Sequence, residues 1–188
     1  MNSREFQNIA RTTAVYLEKP SNAMIYPLLG LVGECGEVAE KIKKLLRDCD
    51  GQMTEERSSS ILAELGDCCW YVANVCSDAN IDLQLMYDMR GSFKYAAKSM
   101  NIVQLTLHMN IIASEIARVL AERYYDCDGH NKYRDLHSIH NNISKILICI
   151  EELSKRLSSG LADVYEANIN KLLDRKNRGV IKGDGDNR

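Results

Sequence analysis

Proline occurs only twice in the 188 residues, and so does phenylalanine. With so few breakers the apolar residues run in long stretches at helical spacing, which favours helices over strands. No apolar run approaches the ~20 residues of a membrane-spanning helix. The opening MNSREFQNIARTT also lacks a signal peptide's apolar core, so the expectation is a soluble, cytoplasmic protein. Neither sign of charge dominates. The 24 Lys and Arg against 26 Asp and Glu leave a net charge of −2, which gives no broad footprint for nucleic acid or membrane. Cysteine lacks pattern rather than number. Seven are present, an odd count, and no CxxC pair occurs. Most fall on apolar helical faces and read as buried free thiols rather than disulfides or zinc ligands. Glu-x-x-His occurs nowhere, which removes the usual pattern of di-iron and di-manganese carboxylate bundles.

What is present is an ordinary globular composition, 45% apolar and 27% charged, in a chain long enough for one or two domains. Within it stands a split set of four carboxylates. Glu34 and Glu37 lie in GECGEVAEKIKK, and Glu64 and Asp67 in ILAELGDCCWYVANV. Each pair has i, i+3 spacing, which places both acids on one helical face. The 26 residues between Glu37 and Glu64 suffice for the rest of one helix, a turn and the start of the next. Two antiparallel helices would then aim four acids at one place. Carboxylates so crowded repel unless a cation sits among them, and oxygen-only donors suit Mg2+ or Mn2+ better than zinc or copper. The spacing therefore predicts a divalent-metal site built to handle phosphates.

In chain order, helices are expected over about 3–17, from 22 or 27 to 47, over 55–79 with Gly51 capping the helix before it, over 83–98 capped by Asp82, and over 160–176. Gly30, Gly33 and Gly36 recur at i, i+3, i+6, which points to close helix packing or room for a ligand. Lys41, Lys43 and Lys44 read as a solvated face rather than phosphate clamps. The second half then repeats the first. DCDG at 48–51 returns at 126–129, an offset of 78, and at that offset Glu37 meets Glu115, Ser60 meets Ser138 and Tyr87 meets Tyr165. This is read as an internal duplication of a helical unit. Its chemistry is asymmetric, because Glu34, Glu64 and Asp67 become Ile112, Asn142 and Lys145. The expected architecture is an all-α bundle of two tandem units. Residues 1–98 carry the site, 99–177 are a degenerate structural repeat, and 178–188 form a basic, glycine-rich tail.

The motif Glu34-x-x-Glu37 followed by Glu64-x-x-Asp67 on consecutive helices resembles the signature of the MazG-like, all-α nucleoside triphosphate pyrophosphohydrolases. LLGLVGECGEVAEKIKKLLRD and ILAELGDCCWYVANVCSDANIDL are similar to the two metal helices of that family's small phage and bacterial members. FQNIARTTAVY resembles their opening helix and NINKLLDRKNRGVIKGDGDNR their C-terminal segment. The resemblance covers about 5–90 and 160–188, and residues 99–159 have no place in single-unit members. It implies Mg2+-dependent hydrolysis of a (deoxy)nucleoside triphosphate between the α and β phosphates, with Glu34, Glu37, Glu64 and Asp67 as metal ligands and Mn2+ as a substitute. It also implies phosphate and sugar contacts from Asn168, Lys171 and Arg175, the alternative being a solvated polar face, and weaker contacts of the same kind from Arg178, Lys182 and Arg188. Trp70, one turn after Asp67, either stacks a base or packs in the core. Simpler family members dimerise, so the expected partners are a nucleotide substrate and, beyond a self-sufficient monomer, a second copy. The competing readings are a catalytically inactive nucleotide-binding protein and a helical interaction protein whose acids form a solvated face.

Overall fold

Asn2 starts the first helix. In the computed structural model its side chain accepts from the Glu5 amide and the Glu5 carboxylate accepts from the Asn2 amide, at 2.9 Å each, a reciprocal cap that satisfies two otherwise unpaired donors. Residues 1–18, 23–48, 51–89, 91–125 and 134–180 are described, with side chains outside 120–136. Helix α1 (Ser3–Thr12) ends before the expected residue 17. Thr12 and Thr13 turn their hydroxyls back onto the carbonyls of Ile9 and Ala10 (2.8 and 2.7 Å), a local bond that competes with the helical ladder. A short 3-10 turn, Val15–Glu18, follows.

The long helix α2 (Ile25–Asp48) is closed by Gly51, whose φ of +79° only glycine adopts freely and whose amide donates to the Leu45 carbonyl at 3.2 Å. Thr54 caps α3 (Glu55–Asp78), and Asp82 caps α4 (Leu83–Asp88) through the amides of Gln84 and Leu85. The single helix expected over 83–98 is two, α4 and α5 (Phe93–Ser99), with Gly91 between them. Glycine costs about 1 kcal/mol in a helix interior, and breaking there lets both short helices lie on a later one. The chain continues as α6 (Ile102–Tyr125), α7 (Arg134–Arg156) and α8 (Leu161–Asn177). No strand occurs among the described residues, and the fold is all-α.

Helices α2 and α3 form an antiparallel hairpin. The start of α2 meets the end of α3 at Gly30 and Tyr71, and its later half meets the start of α3 at Lys41 and Ser60. Helix α6 packs along both α2 and α7, and α3 is covered by α1, α7 and α8. One core runs through these helices, including Leu31, Val38, Leu65, Val72, Ile116, Ile146 and Tyr165. Cys35, Cys68, Cys69, Cys76 and Cys149 are buried free thiols within it. No described helix is long and apolar enough to cross a membrane.

The 78-residue offset also relates the elements. Adding 78 to α2 gives 103–126, and the helix there is Ile102–Tyr125. Adding it to α3 gives 133–156, against Arg134–Arg156, and adding it to the start of α4 gives 161, where α8 begins. Side-chain contacts follow the same relation. Lys171 on α8 pairs with Asp67 on α3, and at the same offset the positions of that pair are Lys145 on α7 and Phe93 on α5, with Lys145 standing over the Phe93 ring. Each hairpin is thus covered by a helix that follows the other. Cys49 and Asp50, and the second DCDG, lie outside the described residues.

Candidate metal and phosphate site

The i, i+3 spacing of the acids works here because α2 and α3 lie very close at one end. A Cβ added to Gly30 would stand 2.0 Å from Cε1 of Tyr71, so glycine is what admits the α3 ring at that level. Gly33 and Gly36 differ. A Cβ at either would meet nothing within 4 Å, and they leave the helix surface beside Glu34 and Glu37 bare.

Three of the four acids converge. Glu34 is half-buried, Glu37 exposed and Glu64 buried, and one carboxylate oxygen from each lies within 4.8 Å of the others. Burial raises the Glu34 carboxyl from an ordinary 4.5 to about 8, and the negative charges of Asp67, Glu37 and Glu64 push the same way, with Lys171 opposing. Two lysines from different helices answer part of this charge. Lys41 Nζ lies 2.7 Å from Glu64 and donates to Ser60 Oγ at 2.5 Å. Lys171 Nζ donates to both oxygens of Asp67, at 2.7 and 2.6 Å. Asp67 stands outside the three-acid cluster, gripped by this lysine and by Asn168 Nδ2 at 2.7 Å.

Helix α8 reaches Asp67 because of a glycine. A Cβ at Gly66 would come within 3.0 Å of Cβ of Asn168. The other atom of that amide, Asn168 Oδ1, is buried and has no hydrogen-bond partner. Turning the amide over would set its oxygen against the Asp67 carboxylate, so this acceptor stays open to a donor brought by a ligand or water.

The remaining candidates divide. Arg175 is buried one turn beyond Lys171 on α8. Arg178 forms an exposed i, i+4 pair with Asp174 at 2.8 Å. Lys182 and Arg188 lie outside the described residues. Trp70, expected either to stack a base or to pack in the core, is buried. Its indole is 9% exposed, sits edge-on to Tyr16 and Tyr71, and donates from Nε1 to Thr13 Oγ1 at 2.8 Å. Two residues of the site carry no sequence expectation that matches their position. Lys41, read as solvated, is the partner of Glu64, and Gly66 lets α8 approach. The glycine standing inside the Glu64-x-x-Asp67 motif was the available signal for the second.

In the other half the same positions build nothing similar. Ile112 and Asn142 are buried, Lys145 stands over Phe93, and Glu115 is an exposed carboxylate paired twice with Arg118, at 3.0 and 2.7 Å.

The donor set fits a hard divalent cation. It contains only oxygen, at separations a single ion can bridge with bonds of about 2.0–2.5 Å. The upward shift of the Glu34 carboxyl marks a place where positive charge is wanted. The nearby thiols, Cys35 and Cys68, are buried against each other with sulfurs 3.8 Å apart. A family model for the MazG nucleotide pyrophosphohydrolase domain matches residues 26–90, which span α2 to α4 and all four acids. The chain is 35% identical over 103 residues to the Gene 37 protein of Mycobacterium phage L5, a match covering 53% of this chain and 90% of that protein. No solved structure matches it.

Proposed function

The chain belongs to the MazG nucleotide pyrophosphohydrolase family, and from that premise we propose that it hydrolyses a (deoxy)nucleoside triphosphate between the α and β phosphates. The observation that carries this reading is the convergence of Glu34, Glu37 and Glu64 within 4.8 Å, where burial and the neighbouring negative charges push the Glu34 carboxyl up to about 8. Glu34, Glu37, Glu64 and Asp67 would hold Mg2+, with Mn2+ able to replace it. A bound divalent ion supplies Lewis acidity, neutralising phosphoryl oxygens and making water a better nucleophile.

The chain's own groups set the stage for the displacement. Lys41 and Lys171 hold Glu64 and Asp67 in place and supply cations within reach of phosphate oxygens. Asn168 orients Asp67 through its amide nitrogen and offers its open carbonyl oxygen to the substrate. Arg175 adds a guanidinium on the same helix, with Arg178, Lys182 and Arg188 further along the chain as weaker contacts to the α phosphate and sugar. In the reaction a water oxygen bonds to the α phosphorus, and the bond from that phosphorus to the bridging oxygen breaks. The products are a nucleoside monophosphate and pyrophosphate, and one proton is released to a carboxylate and then to solvent. Residues 99–177 act as a structural repeat whose last helix, α8, completes the site borne by 1–98.

The test is a panel of ribo- and deoxynucleoside triphosphates incubated with the protein and Mg2+, each scored separately for pyrophosphate and orthophosphate. Pyrophosphate from at least one of them is expected. Orthophosphate as the first product would reject cleavage between α and β.

A further inference from the structure

A cavity of about 330 Å3 opens where the later half of α2 faces the first turns of α3. Its lining is Lys41, Lys44, Arg57 and Ser60, with Glu56 and Ile61. Three cationic side chains against one acidic one is a strong local bias in a chain whose net charge is −2. The cavity joins the acid cluster directly. Lys41 lines it and also contacts Glu64, and Ser60 lies one helical turn before Glu64. Among the described residues, the acids beside its other cations lie at the surface. Lys44 has Glu40 at 3.4 Å, and Arg57 has Asp48 as its acidic neighbour. Exposed contacts of this kind are weak and screened by salt, so a multiply charged anion can displace them.

We propose that this cavity is the subsite for the diphosphate end of the substrate, and so for the pyrophosphate product, with Lys44 and Arg57 as its recognition residues and Lys41 as the bridge to the scissile phosphate. The inference rests on the pyrophosphohydrolase reading and adds a direction to it. The β and γ phosphates lie toward the start of α3, and the nucleoside lies on the opposite side of the acids. Size and charge support the assignment. A volume near the lower end of the ~300–1,000 Å3 of small-molecule sites suits a diphosphate rather than a whole nucleotide. A guanidinium offers paired donors that match phosphate oxygens, and a serine hydroxyl donates one more. The neighbouring cavity between α3 and α8, about 300 Å3, has Leu62, Ala63, Gly66 and Val164 in its lining, and among its described residues one cation, Lys171, and one acid, Asp163. Its described side chains therefore offer a diphosphate less positive charge than the first cavity does.

The experiment is calorimetric titration of inorganic pyrophosphate, and separately of inorganic phosphate and a nucleoside monophosphate, into the full chain with Mg2+ present. Wild type is compared with Lys44→Ala, Arg57→Ala and the double variant, with circular dichroism as the check on folding. Each single change is expected to weaken pyrophosphate binding roughly tenfold, the scale of one charge-assisted hydrogen bond, and the double variant more. Monophosphate affinity should stay within a factor of about two. In turnover assays the same variants should raise KM for the triphosphate and the inhibition constant for pyrophosphate together. Unchanged pyrophosphate affinity in the folded double variant would overturn the proposal, as would wild type that binds pyrophosphate no better than phosphate. The binding arm does not depend on turnover. A protein that binds pyrophosphate through these residues but cleaves no nucleotide would refute the reaction and leave the subsite standing.

Discussion

Lys171 acts on two carboxyl groups in different ways, gripping the Asp67 carboxylate and, at longer range, favouring ionisation of Glu34. Replacing it with glutamine leaves a neutral donor of similar reach but removes the charge. Asp67 would then have neutral amide donors and no cation, and the Glu34 carboxyl would be pushed further up. We expect Lys171→Gln to lower kcat/KM at least tenfold, as loss of a charged partner at a phosphate site does, with the helical circular dichroism spectrum unchanged. Wild-type kinetics in that variant would remove α8 from the site. Trp70 makes the opposite case. Its indole N–H is already spent on Thr13, and its faces are taken up by the core. Trp70→Phe should cost about 1 kcal/mol of stability, the worth of one buried hydrogen bond, and leave KM for the nucleotide within twofold. A tenfold rise in KM without loss of stability would return Trp70 to the substrate.

At the scale of the helices, Glu37 and Glu115 occupy the same place in the two hairpins and meet different surroundings. Glu37 joins Glu34 and Glu64, whereas Glu115 is exposed and paired with Arg118 three residues on. We expect Glu37→Gln to reduce turnover by more than the roughly 10–100-fold that loss of an outer partner of a metal ligand costs. Glu115→Gln should change turnover by less than twofold and stability by less than about 0.5 kcal/mol. Equal losses in both would mean that the two halves share one site. Much of this was legible in the sequence because it lies within single helices. Pairs spaced i, i+3, the caps at Thr54 and Asp82, and the stop at Gly51 depend only on helical geometry. The break at Gly91 and the early end of α1 were not legible, since each depends on a local competition between helix and alternative bonds of similar strength. Nor was the Lys41–Glu64 pair, 23 residues apart across the hairpin, because it depends on the register of α2 against α3. The periodicity of α2 makes Lys41 look solvated, and only the approach of α3 decides otherwise. Gly30 shows the same limit. Its spacing with Gly33 and Gly36 suggests one role for three glycines, and Tyr71 gives the first a different role from the other two.

For the whole molecule, the acid cluster makes stability depend on pH and on metal together. Glu34 has an ordinary pKa of 4.5 when unfolded and about 8 when folded. Between those values the native state binds more protons than the unfolded state, so the contribution of this group to stability is full below about 4.5 and falls as pH rises through about 8. A divalent cation needs the deprotonated carboxylate and supplies the missing positive charge itself. Below pH 8 it must displace the proton; above pH 8 the site is already ionised and repelling. Mg2+ should therefore raise Tm more at pH 8.5 than at pH 6, and stripping the metal with a chelator should lower Tm more at the higher pH. Calorimetric binding of Mg2+ at pH 7, repeated in buffers of different ionisation enthalpy, should show close to one proton released per site filled. A Tm gain independent of pH, with no proton release, would mean that the metal does not meet Glu34. The same scans on Glu34→Gln separate the two effects. With no proton to lose, the metal-free variant should keep its Tm as pH rises from 6 to 8.5 while the wild type declines, and its residual response to Mg2+ should no longer depend on pH over that range.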